Sequence, residues 1–316
     1  MKLRNLGQTG LMLSPLSYGT WQTFAESVDV STADKIVTTA YESGVRCFDG
    51  AEAYASGKAD AMMGKVLAEK SWNRESYVLT GKCIRSGPED WQTGISRKRL
   101  VECCERTLKN LHSDYLDLYF CHRPDGQTPP EEVVITMNAL IQQGKILYWG
   151  TSMFDPLTLE RMWQFADRHG LAGPVVEQSP YNLLSRERLE VELKPVMEKW
   201  GMGCTVYSPI AVGQLSGKYN DGVPENTRLA DMEWLRKQLT DERVKTLRAI
   251  QKIADDLEVQ MASLAYAWVL KNPLVSTAIM GARHPDQVKR NVKALEVLDQ
   301  LTPEVMTALD DAVTSS

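Results

Sequence analysis

The chain has 316 residues, with 36 Lys or Arg against 41 Asp or Glu, a net charge of −5 and an isoelectric point near 5.6. That balance offers no basic field for nucleic acid or an anionic membrane and points to work on small molecules. The first residues carry no apolar signal-peptide stretch, and no apolar run approaches the ~20 residues that cross a bilayer, so a cytoplasmic protein without membrane insertion is expected. The six cysteines, Cys47, Cys83, Cys103, Cys104, Cys121 and Cys204, show neither CxxC nor zinc-like spacing, so reduced thiols and no metal site are expected.

In chain order, Leu6-Gly-Gln-Thr-Gly-Leu11 reads as a tight hairpin turn between two short strands, placed to cap one end of the fold. Eight short β-rich runs come next, at residues 16–19, 45–48, 77–82, 115–120, 146–150, 175–178, 203–207 and 275–280. Helix-period segments separate them. Ala33, Ile36, Val37, Ala40 and Tyr41 are spaced for one buried face, with Ser31 or Thr32 as N-cap and Gly44 just past the end. Ala59, Met62, Met63, Val66 and Leu67 repeat the pattern. Leu159, Met162, Trp163 and Ala166 form another stripe, and Leu189, Leu193, Val196, Met197 and Trp200 a longer one.

Strands that alternate with helices predict a parallel sheet, and eight of them predict an α/β fold closed as a (βα)8 TIM barrel, one domain over residues 1–316 with an N-terminal β-hairpin cap. An open doubly wound sheet is the alternative. Against it, no GxGxxG follows a strand, and Gly213-Gln-Leu-Ser-Gly-Lys218 is one residue short of a P-loop and is followed by Tyr219.

Function in such barrels collects at the C-terminal strand ends. Asp49 follows the second barrel run, with Tyr54 just beyond, Lys82 closes the third and His122 follows the fourth. A carboxylate, a phenol, an ammonium and an imidazole at one mouth make a proton-transfer site. Singly, each has a plainer reading as a turn former, a loop anchor, a rim charge or a loop histidine. Strand alternation turns Cys83 and Cys121 away from the mouth if Lys82 and His122 face it.

Gly19-Thr-Trp21, Phe48-Asp-Gly-Ala-Glu-Ala-Tyr54, Gly57-Lys-Ala, Lys82, His122-Arg-Pro-Asp125, Trp149-Gly-Thr-Ser152, Ser208-Pro209 and Gly213-Gln-Leu-Ser-Gly-Lys-Tyr219 together resemble the aldo-keto reductase superfamily, closest to its potassium-channel β-subunit branch and bacterial relatives. The resemblance implies a barrel that binds NADPH across its C-terminal rim and reduces carbonyl substrates. Tyr54 would be the general acid, Lys82 would lower its pKa, Asp49 would hold Lys82, and His122 would orient the substrate oxygen. It also implies that Tyr207 stacks on the nicotinamide and that Ser152 and Gln178 hold its carboxamide. Thr20, Trp21 and Asp49 would also meet the cofactor. The loop from Ser208 through Pro209, Ile210, Gly213 and Ser216 to Lys218 would cover the pyrophosphate. At the adenosine end, Gly281 and Arg283 precede a helix starting at Pro285, and Arg228, Arg290, Gln287 and Asn291 complete the expected pocket, which favours NADPH over NADH.

Gly50 stands where the family usually has threonine, Met153 where arginine or asparagine is usual, and Arg290 where glutamate is frequent. His122 is the residue expected of a working reductase, where channel β subunits are expected to carry asparagine, and no long N-terminal extension precedes the hairpin. A redox-sensing NADP(H)-binding channel subunit is the alternative function, and a cofactor-free hydrolase or isomerase a third. Trp21, Phe24, Trp91 and Met153 are candidates for an apolar substrate pocket. The β-subunit likeness is compatible with a homo-tetramer.

Overall fold

Alternating side-chain faces along eight short strands decide the architecture. The computed structural model describes residues 1–84, 89, 92–225 and 227–314, without the side chains of Arg228 and Asp231. A hairpin of β1 (Arg4–Asn5) and β2 (Met12–Leu13) precedes β3 (Leu16–Gly19), β4 (Cys47–Asp49), β5 (Val78–Cys83), β6 (Leu116–Cys121), β7 (Ile146–Ser152), β8 (Val176–Pro180), β9 (Gly203–Tyr207) and β10 (Val275–Met280). These last eight are all parallel and close into a barrel in the order β10-β3-β4-β5-β6-β7-β8-β9. All eight runs read from the sequence are strands, three with the same bounds and five with bounds moved by one or two residues.

The hairpin closes the N-terminal end. Arg4 Nη1 donates to the Val275 carbonyl at the start of β10 at 3.1 Å, and Gln8 N donates to Gly201 O at 2.8 Å, just before β9. Leu6 and Leu13 pack against Cys47, Val78, Leu118, Phe120 and Val176, which point into the barrel. Outward-facing residues form a second, larger core with the helices, and Cys83, Cys103, Cys104 and Cys121 belong to it. The orientation expected for Cys83 and Cys121 is the one observed. No described helix is long and apolar enough to cross a membrane.

Local chemistry sets the helix ends. Val30–Glu42 starts two or three residues earlier than expected, because Asp29, not Ser31 or Thr32, is the cap and accepts from Thr32 N at 2.8 Å. The 189–200 stripe is two elements, a π-helical turn at Arg188–Leu193 running into an α-helix at Lys194–Trp200. Apolar spacing does not distinguish the wider turn because both keep one face buried.

Helix Lys58–Ala68 crosses the end of helix Arg97–Leu111 at a glycine. A Cβ on Gly64 would lie 2.0 Å from Asn110 O and 2.9 Å from Leu111 Cα, both backbone atoms. Gly64→Ala is therefore expected to destabilise by about 1–3 kcal/mol. A lower urea midpoint with unchanged slope would bear this out, and a midpoint equal to wild type would show that the helices can separate freely.

Candidate active site

Lys82 sits on β5 with its side chain inside the barrel and no solvent exposure. A buried ammonium needs compensation, and three groups supply it. Its Nζ donates to Asp49 Oδ2 at 2.6 Å, to the Gly50 carbonyl at 2.8 Å and to the Tyr54 hydroxyl at 3.4 Å. Asp49 is fixed in turn, since Oδ1 accepts from Thr80 Oγ1 at 2.8 Å and from Gln178 Nε2 at 3.2 Å. Thr20 braces the same strand end, its N donating to the Asp49 carbonyl at 3.0 Å. Burial works to lower the Lys82 pKa, but the Asp49 carboxylate and the hydrogen bonds outweigh it, and the pKa is raised.

Tyr54 hangs on the loop after β4, which is tied to β5 where Glu52 N donates to Lys82 O at 3.2 Å. Three successive residues after it, Ala55, Ser56 and Gly57, have φ of 48°, 54° and 83°. Left-handed backbone costs an alanine or serine roughly 1–2 kcal/mol each, and strain of this kind collects at functional sites. Burial pushes the Tyr54 phenol up from its ordinary value, with Lys82 pulling against it. This corrects the lowered pKa expected from the Lys82 charge: desolvation is the larger effect. His122 follows β6, its ring edge-on to Tyr54 with centroids 5.7 Å apart. Burial, then the charges of Lys82 and Arg123, push its pKa down to about 3, so the imidazole is neutral near neutral pH. Its Nδ1 is buried without a hydrogen-bond partner.

These side chains open onto a cleft of about 640 Å³ along the C-terminal rim. Of the residues expected to meet a cofactor, Trp21, Asp49, Ser152, Gln178, Tyr207, Ser208, Pro209, Ile210, Gly213, Lys218, Gly281, Arg283 and Gln287 line it. Thr20, Ser216, Arg290 and Asn291 do not: Ser216 instead donates to Gly213 O within its own loop at 2.6 Å, and Arg290 is exposed. Phe24 is packed in the core against Tyr18, and the Met153 sulfur accepts from the Tyr207 hydroxyl at 3.2 Å, so neither lines the cleft. Trp91 and the Arg228 side chain lie outside the described parts. The cleft also takes in Arg123, Thr227, Tyr266 and His284, which were not among the residues expected there. Of these, Arg123 alone had a signal, its place directly after His122 at a strand end.

The lining suits a dinucleotide phosphate. Ser208, Ala211, Val212 and Gly213 all have positive φ, which bends the loop over the rim. Among the described residues no carboxylate pairs with Lys218 or Arg283, so two cations stand ready for phosphate oxygens. Gln287 Oε1 accepts from Arg283 N at 2.6 Å and from His284 N at 3.2 Å, which leaves the Arg283 guanidinium, not these amides, as the donor at that end.

One carboxylate stands apart. Asp60, on helix Lys58–Ala68, is buried with neither oxygen hydrogen-bonded, beside a hole of about 10 Å³ lined by Gly50 and Thr80. A Cβ on Gly50 would lie 2.6 Å from its Oδ1, so the glycine makes room for this acid. Elsewhere, Glu52, Cys83 and Cys103 place ligand-type atoms within 4.8 Å of one another, but Arg99 and Arg106 already hold Glu52 at 2.6 and 3.2 Å.

Known proteins match this chain over nearly its whole length. The model of the "Aldo/keto reductase family" matches residues 15–314. A "Probable voltage-gated potassium channel subunit beta" of Arabidopsis thaliana is 40% identical over 319 residues, covering 100% of this chain and 97% of that protein. The protein of the same description from Oryza sativa subsp. japonica is also 40% identical, with the same coverage. A "Putative voltage-gated potassium channel subunit beta" of Schizosaccharomyces pombe is 41% identical over 316 residues, covering 98% and 92%.

Asp60 yields a pH test. Burial pushes its carboxyl up to about 7, against 3.8 for the free group, with Lys82 opposing. The folded chain therefore binds more protons than the unfolded one between these values, and stability falls as pH rises from about 4 through about 7. Asp60→Asn removes that penalty. It is expected to stabilise by up to roughly 4 kcal/mol at about pH 8, with the gain fading towards about pH 4. A difference between variant and wild type that stays constant across this range in thermal melts would contradict the assignment.

Proposed function

The chain belongs to the aldo/keto reductase family, and from that premise we propose that it reduces aldehydes or ketones to alcohols with NADPH, using Tyr54 as general acid. The observation that carries the reading is the buried Lys82 cation, held by Asp49 and 3.4 Å from the Tyr54 hydroxyl at the floor of an open cleft. Bound NADPH would supply the hydride that no side chain can provide.

The chain's own residues would do the remainder. Tyr54, its pKa raised by burial, stays protonated at neutral pH and has a proton to give the carbonyl oxygen. Once that proton leaves, the phenolate faces Lys82, whose charge stabilises it without a further rearrangement. His122, neutral and lacking a partner on Nδ1, offers a hydrogen bond that fixes the carbonyl beside the Tyr54 hydroxyl. Asp49 keeps Lys82 in place.

Cofactor binding follows the lining. The Tyr207 ring would stack on the nicotinamide. Gln178 has its Nε2 tied to Asp49 and Thr205, which leaves Oε1 for the carboxamide, with Ser152 beside it. Lys218 would meet the pyrophosphate, and Arg283 the 2′-phosphate that separates NADPH from NADH.

A second reading has support of its own, because the three relatives are described as potassium channel β subunits. On that reading the chain is an NADP(H)-binding, redox-sensing subunit with little turnover. His122 and the Lys82-backed phenol favour the enzyme.

Tyr54→Phe is expected to lower kcat/KM by about 10²–10⁴ while NADPH affinity, read from tryptophan quenching, stays within about twofold of wild type. Equal loss of both would make Tyr54 structural, and wild-type binding without turnover would favour the channel-subunit reading. In the reverse direction Tyr54 must accept a proton, so alcohol oxidation should climb as pH rises toward the elevated phenol pKa, while carbonyl reduction falls there. Parallel pH profiles for the two directions would remove Tyr54 from the proton step.

A further inference from the structure

Charge is distributed unevenly around the cleft. Its lining carries Arg123, Lys218 and Arg283 against one carboxylate, Asp49, which Lys82 already neutralises. This excess of positive charge belongs to a chain of net charge −5. Lys218 and Arg283 follow β9 and β10, neighbouring strands, and phosphates of the cofactor account for both. Arg123 follows β6, four places from β10 in the eight-stranded closed barrel and thus across the mouth from it. A dinucleotide phosphate at the Arg283 end leaves Arg123 without a role.

Nothing in the described residues neutralises it. Arg123 is exposed, and no carboxylate among them forms an ion pair with it. The nearest acid in its own loop is committed elsewhere: Asp125 Oδ1 accepts from Gln127 N and Thr128 N, and Oδ2 from Ile95 N and Thr128 Oγ1. Glu177, behind Tyr207, is buried with Thr151 at 2.6 Å and Arg188 at 3.6 Å. Arg123 lines the cleft together with Tyr207, close enough for its charge to pull the phenol pKa down against the effect of burial. Its charge is felt at the reacting end, where it helps keep the His122 imidazole neutral.

Resting on the carbonyl-reductase reading above, we propose that Arg123 binds an anionic group of the substrate, so that this site takes aldehydes or ketones bearing a carboxylate or a phosphate ester near the carbonyl. A guanidinium presents paired N–H donors that match either oxyanion. Because Arg123 is the residue after His122, an anion held there brings the rest of a short molecule to the Tyr54 and His122 side chains. The anion takes no part in the chemistry: hydride adds to the carbonyl carbon, the Tyr54 proton to its oxygen, and the charged group leaves unchanged with the alcohol.

The test compares succinic semialdehyde with butanal and glycolaldehyde phosphate with glycolaldehyde, in wild type, Arg123→Gln and Arg123→Lys. In wild type the anionic member of at least one pair should have a kcat/KM about 10- to 100-fold higher, mostly through KM, and the pair that shows it identifies carboxylate or phosphate. Arg123→Gln should bring the ratio of anionic to uncharged kcat/KM down to about one, and Arg123→Lys should restore part of it. Turnover of uncharged aldehydes with no anionic preference, or a preference that survives Arg123→Gln, overturns the proposal and leaves the reductase reading intact. If no carbonyl is reduced, the reductase reading fails separately. Succinate binding in the presence of NADP+ then decides: loss in Arg123→Gln supports the anion site, and equal binding overturns it.

Discussion

The buried contact between Lys82 and Asp49 is the constraint on which the rest of the site depends. Both side chains are almost wholly withdrawn from water and lie 2.6 Å apart. Removing one partner from such a pair costs about 3–5 kcal/mol, because the other charge is left buried alone. The fold meets this with converging hydrogen bonds from three strands: Thr80 on β5 and Gln178 on β8 hold Asp49 on β4, and the Gly50 carbonyl takes a second ammonium proton. A closed parallel barrel makes this convergence possible, since every strand delivers its C-terminal end to the same rim. The hairpin of β1 and β2 seals the opposite end with Leu6 and Leu13, and the barrel interior between is packed with side chains.

Around this rigid floor the functional groups are carried on strained loops. Ala55, Ser56 and Gly57 turn left-handed beside Tyr54, and Ser208, Ala211, Val212 and Gly213 do so beside Tyr207. Packing and hydrogen bonds hold these turns, as where Asn182 Nδ2 donates to Ser208 O at 3.0 Å. Gly50 and Asp60 add a second, pH-sensitive element behind the floor: the hole between them leaves a carboxyl without a partner close enough to Lys82 and Tyr54 for the charges to be felt.

Much of this was legible in the sequence. Eight β-rich runs separated by helical stripes specify a barrel because a parallel pair requires a crossover and a closed sheet has no edge. Alternation along β5 and β6 correctly turned Cys83 and Cys121 outward, and Asp49, Tyr54, Lys82 and His122 do meet at one mouth. What stayed hidden depends on three-dimensional surroundings. The direction of the Tyr54 shift follows from how deeply the phenol is buried, which adjacency to a lysine does not reveal. Arg290 and Asn291 share a helix with Gln287 but lie beyond the end of the cleft. Arg123 stands in the sequence directly after His122, but only the commitment of Asp125 to its own loop shows that its charge is unanswered.

The most direct measurement is a single turnover: protein preloaded with NADPH is mixed with excess aldehyde, and the loss of reduced-nicotinamide absorbance is followed in wild type and in Lys82→Met. Wild type is expected to oxidise the bound cofactor completely. A folded Lys82→Met should still bind NADPH but react at least about 100-fold more slowly, as when a charge that stabilises the transition state is lost. Bound NADPH that wild type leaves unoxidised across a range of aldehydes, or a Lys82→Met that reacts as fast as wild type, would contradict a proton transfer from Tyr54 backed by the Lys82 cation.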